Sequence, residues 1–101
     1  MPETVTTTTI ITKEMALTHA DFFRSIGNAF DDGGYRREDT KIIAEDDGRR
    51  LEISLGPEGT RRIGLLSVPA TPVTLTFTGY TTGQRAETMA RFDRAFQRAG
   101  G

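Results

Sequence analysis

KIIAEDDGRRLEISLGPEGTRRIGLLSVPATPVTLTFTGY, residues 41–80, decides the fold, because its apolar residues recur with the period of a strand and three turn signals cut it into pieces. The signals are Asp46-Asp47-Gly48, Gly56-Pro57-Glu58-Gly59 and Pro69-Ala70-Thr71-Pro72. They predict four strands, from Lys41 to Glu45, Arg49 to Leu55, Arg61 to Val68 and Val73 to Tyr80. Connections this short join only antiparallel neighbours, so the four form a meander. In the last strand Val73, Leu75 and Phe77 point one way and Thr74, Thr76 and Thr78 the other. Leu51, Ile53 and Leu55 alternate in the same manner with Arg50, Glu52 and Ser54. One face of the sheet is therefore core and the other largely polar.

Working outward, Thr4 to Thr12 (TVTTTTIIT) is β-branched throughout and predicts a first strand. A helix start follows: Thr18 as N-cap, Asp21 three residues on as its partner, and Leu17 positioned to staple against Phe22. The helix is expected from His19 to Phe30, with Phe22, Phe23, Ile26 and Phe30 on one face and Gly33-Gly34 as its stop. A last helix begins after Thr81 or Thr82 and runs to about Arg98, with Met89, Phe92, Phe96 and Ala99 on its apolar stripe. The order β-α-β-β-β-β-α predicts an α+β domain, a curved antiparallel five-stranded sheet with two helices packed on one face. That topology resembles the TBP-like and helix-grip folds, a resemblance of architecture that carries no matching motif and transfers no activity.

A chain of 101 residues fits one domain spanning 1–101, with residues 1–3 and 100–101 expected to fray. The apolar content of 36% and charged content of 27% lie in the globular range. With neither a long apolar run nor a leader-like N-terminus, a cytoplasmic protein without a membrane partner is expected. Lack of cysteine excludes disulfides and thiolate chemistry. A net charge of −1 argues against a dedicated nucleic-acid binder.

His19 is the only histidine, and the helix start already accounts for it and for Asp21. One imidazole lacks the companions that zinc needs, so neither metal nor cofactor is expected. Ser25, Ser54 and Ser67 have no base to activate them. The acidic turn at residues 45–48 lacks the spacing of a calcium loop, and the glycines after Asp31-Asp32 follow a helix where a phosphate cradle must precede one. No enzyme is expected.

Two features remain. Ile63-Gly64-Leu65-Leu66-Ser67-Val68 places apolar residues on both parities, so at least two must reach the face away from the helices unless Gly64 marks a bulge. Leu65, Leu66 and Val68 are thus a candidate interface for a second copy or a protein partner. Three arginine pairs also stand where loops meet strands: Arg36-Arg37, Arg49-Arg50 and Arg61-Arg62. A meander sets Arg49-Arg50 beside the acidic turn and allows Tyr35, Arg36, Arg37, Arg61 and Arg62 to converge as an anion site. The leading expectation is a non-enzymatic interaction module that works through its sheet by self-association or protein binding. The alternative is a carrier or sensor of a small anionic ligand held in a pocket between sheet and helices.

Overall fold

The computed structural model describes residues 7–30, 34–46 and 48–97. Strand β1 is Thr8–Met15, and helix α1 is His19–Ser25 followed by a 3₁₀ turn over Ile26–Ala29. Strands β2 (Arg36–Glu38), β3 (Lys41–Asp46), β4 (Arg49–Leu55), β5 (Gly59–Ile63) and β6 (Leu66–Thr78) precede helix α2 (Thr82–Gln97). The sheet is antiparallel in the order β1-β6-β4-β3-β2, with β5 paired to β6 beyond the end of β4. The α+β architecture read from the sequence therefore holds, with six strands in place of five. Residues 4–6 of the predicted first strand, Gly33 of the helix stop, and Ala99 lie outside the described residues.

Register explains the core. Ile11, Leu75, Ile53 and Ile42 form one row across four strands, and Thr9, Phe77, Leu51 and Ala44 form the next. Phe22 of α1 and Phe92 and Phe96 of α2 are buried in the same apolar cluster as these strand residues, and the rings of Phe22 and Phe96 stack at 5.1 Å. The capping box at Thr18 is formed as its spacing implied: the Thr18 hydroxyl accepts from the Asp21 N–H at 3.1 Å, and the Asp21 carboxylate accepts from the Thr18 N–H. That backbone bond is the main cause holding the Asp21 carboxyl below its ordinary range. Thr81 and Gln84 repeat the device at the start of α2.

Strand boundaries differ from expectation in three places. The segment 61–68 is not one strand but a hairpin: Ile63 pairs with Leu66 across the two-residue turn Gly64-Leu65. Gly64 takes φ +61° while Leu65 does not enter the left-handed region, which is the pattern of a type II′ turn. The Pro69–Pro72 stretch is no turn but the middle of β6, and hydrogen-bond phase explains why both prolines are tolerated. Residues flanking a two-residue turn exchange hydrogen bonds, so alternation makes Thr60 and Pro69 a non-bonded pair whose ladder needs no N–H from residue 69. Pro72 falls opposite the break between β4 and β5, where its carbonyl still accepts from the Gly56 N–H at 2.8 Å. Finally, Arg36–Glu38 form a separate short edge strand, hinged to β3 by a turn in which Asp39 adopts φ +56°.

At roughly 3.3 Å per residue the 13 residues of β6 measure about 43 Å. The molecule extends 60 Å along one axis and only 25 Å along the other two, so β6 must run along its length. The C-terminal part of β6 lies between β1 and β4, and its N-terminal part leaves the body with β5 as a two-stranded arm.

Candidate functional site

The arm runs from Gly59 to Ala70, and residues 59–67 are all exposed. Leu65 at the turn is 97% exposed, Leu66 66% and Ile63 58%, which makes the tip the main concentration of exposed large apolar side chains among the described residues. Alternation along β6 gives Leu66, Val68 and Ala70 the same parity as Pro72, Thr74 and Thr76, which face away from the helices. Leu66 and Val68 thus have the parity of the open face, and Val68 is half-buried. Ile63 joins them from the opposite strand. Sequence reading missed it because an apolar Leu65 in the second turn position concealed the hairpin.

The root of the arm is braced to the body. The His19 imidazole donates from Nε2 to the Gly56 carbonyl at 2.8 Å, and the His19 backbone N–H donates to Glu58 Oε1 at 2.8 Å. Thr71, fully buried, donates its hydroxyl to the Leu17 carbonyl at 2.8 Å. Arg61 forms an ion pair with Glu14 of β1. His19 is more than the first residue of a helix. It joins α1 to the segment on which the arm turns outward.

The open face of the body differs from the tip. Glu38, Arg36, Glu45, Arg50, Glu52 and Lys41 form a continuous chain of ion pairs with separations of 2.9–3.6 Å. Arg36 and then Arg50 hold the Glu45 carboxyl below its ordinary range, while Glu38 and Glu45 raise the Arg36 guanidinium. Ile43 lies in the same cross-strand row as Arg36 and Glu52 and is only 2% exposed, since long charged side chains can shield an apolar neighbour with their stems. Three cations against three anions make this region charge-neutral. Beside it, β1 and β6 contribute threonines.

The five residues of the predicted anion site are not brought together. Arg36 lies in register with Ile43, Glu52 and Thr76, whereas Arg61 pairs with Val68, eight residues along β6 by the difference 76 − 68. At about 3.3 Å per residue the offset is roughly 26 Å, beyond what two arginine side chains can bridge. Arg37 turns to the helix side, with its guanidinium 3.6 Å from the centroid of Phe23, and Tyr35 packs on Phe30 at 5.2 Å. Arg61 and Arg62 belong to the arm.

Arg49 lies beside the acidic turn, as the sequence placed it, and there borders a groove of about 410 Å³ at the opposite end of the body from the arm. Phe30, Ala44, Asp46, Tyr80 and Arg91 also line it. Arg49 pairs with Asp46 at 3.1 Å and lies 5.1 Å from the Tyr80 ring, whose hydroxyl is pushed to higher pKa chiefly by burial. No helix of the described residues is long and apolar enough to cross a membrane, and these residues hold no group of three or more potential metal ligands. No protein-family model, curated protein or solved structure matches the chain.

Proposed function

We propose that the chain is a non-enzymatic interaction module that works by self-association or protein binding through its sheet, with the β5–β6 arm as the contact element. The observation that carries this reading is a braced two-stranded ribbon that leaves the body and ends in Ile63, Leu65 and Leu66, all exposed. A two-stranded ribbon is marginally stable alone in water, and apolar side chains concentrated at its tip gain by being covered. Their exposures amount to about two whole side chains, and covering that much at 1.5–3 kcal/mol each yields about 3–6 kcal/mol. Association itself costs about 4–15 kcal/mol, so the tip supports a specific complex only when further contacts join it.

The test is Leu66→Glu, followed by molar mass and unfolding. Mass above 11.1 kDa that returns to 11.1 kDa in a folded variant supports self-association. Unfolding of the variant makes Leu66 a core residue and removes the basis of the reading.

A second reading rests on the groove beside Tyr80, which Arg49 and Arg91 line and whose occupant would be a small anion. It ranks below the first because Glu45 and Asp46 line the same wall. Thermal shifts with inorganic phosphate and dicarboxylates, compared between the wild type and Arg49→Ala, separate the two.

A further inference from the structure

Building on the arm as the contact element, we propose that the outer edge of β5 accepts an extended acidic segment of another protein as a third strand. In the antiparallel sense that segment presents an apolar residue opposite Ile63 and then carboxylates opposite Arg62 and Arg61.

Hydrogen-bond phase selects this edge. Ile63 and Arg61 direct their backbone groups inward to Leu66 and Val68, so Thr60 and Arg62 direct their N–H and C=O groups outward. The other edge of the arm, along residues 66–70 of β6, is blunted: the phase that spares the β5 ladder points the missing N–H of Pro69 to that side. One edge is closed to strand addition and one is open. A third strand also converts a marginal ribbon into a sheet capable of independent stability.

Charge selects the partner. Residues 59–70 contain two arginines and no carboxylate. Arg61 is engaged by Glu14 on the open face, while Arg62, on the opposite face of the ribbon by alternation, has no acidic residue within the arm. Two copies joined edge to edge along β5 would gather four guanidinium groups there, a like-charge arrangement that opposes self-pairing at this edge and leaves self-association to the apolar tip. A segment with adjacent carboxylates reverses the sign. Among the described residues the outer edge of β1 is unpaired too, but Lys13 and Glu14 give that strand balanced charge and it already belongs to the body sheet.

The experiment titrates the full chain with a capped peptide, threonine-isoleucine-glutamate-glutamate-threonine-valine, and with its counterpart carrying lysine for glutamate, followed by amide NMR and hydrogen exchange. The glutamate probe is expected to give saturable shifts and to protect the Thr60 and Arg62 amides. Thr60→Pro removes an outward N–H without touching the inner ladder and should weaken binding at least tenfold while the body's resonances stay in place. Should that variant misfold, Arg61→Glu/Arg62→Glu decides independently, because it must lose the glutamate probe and gain the lysine one. Equal binding of both probes, no shift at millimolar peptide, or full affinity in a folded Thr60→Pro overturns the assignment. So does protection of the arm by heparin or phosphatidylserine vesicles in place of the peptide, which would identify a polyanion or lipid surface. Failure of the peptide with the Leu66→Glu mass change intact removes the edge assignment alone, and leaves the interaction-module reading standing.

Discussion

Thr71→Val tests whether the root of the arm is fixed by a hydrogen bond or by packing. The Thr71 side chain is fully buried and its hydroxyl donates to the carbonyl of Leu17, itself 2% exposed. Valine keeps the shape and the β-branching but strands that carbonyl, at a cost of about 1–3 kcal/mol. Taking about 2 kcal/mol, a domain of this size should lose on the order of 10 °C in Tm. Thr71→Ser restores the donor and removes one methyl, a loss of about 0.8 kcal/mol. The order of stability should therefore be wild type, then serine, then valine, measured by urea unfolding and thermal circular dichroism. Thr74→Val, between Thr12 and Ser54 on the open face, serves as the reference and should stay within about 0.5 kcal/mol of wild type. Serine falling below valine would refute the hydrogen-bond account and assign the root to packing. A Thr71→Val chain as stable as Thr74→Val would refute both.

Gly79 and Gly64 both have positive φ, but a Cβ on Gly79 would come within 2.7 Å of the Gly48 carbonyl oxygen whereas one on Gly64 meets nothing within 4 Å. Gly64→Ala should cost about 1–2 kcal/mol from backbone conformation alone, and Gly79→Ala distinctly more in the same urea measurement; equal costs would discount the contact. Asp21 and Glu45 both have folded pKa values below their ordinary ones. Their contributions are thus present above the unfolded-state values and lost as pH falls through the folded ones, so unfolding free energy should decline on acidification below about pH 4. Asp21→Asn and Glu45→Gln should each flatten that decline, and an unchanged pH profile in the double variant would remove both groups from the account.

Elements whose signals are local were legible in the sequence. The α1 cap was readable because Thr18 and Asp21 sit three residues apart and each side chain bonds to the other's backbone N–H. The alternation in β4 and β6 gave the right core face because register merely extends a period of two. Proline misled the reading. Pro69 and Pro72 bracket two residues as a turn does, yet a proline is excluded from a strand only where its N–H is required. That depends on the phase of a ladder set by the turn at Gly64-Leu65 and by the break at residues 56–58.

The arginines show the same limit at the level of the site. Their pairing in sequence suggested recognition, but three of the guanidinium groups answer to neighbours supplied by the fold: Arg36 to Glu45 on β3, Arg61 to Glu14 on β1, and Arg37 to the ring of Phe23 on α1. Adjacent residues on a strand point to opposite faces, so a doublet is the arrangement least able to converge on one ligand. On an edge strand that same alternation has a different use. Arg61 and Arg62 flank the backbone from both faces of β5, and a strand added beside them meets one cation above and one below its own main chain. A doublet that is poorly placed to clamp a small anion is well placed to select an acidic strand.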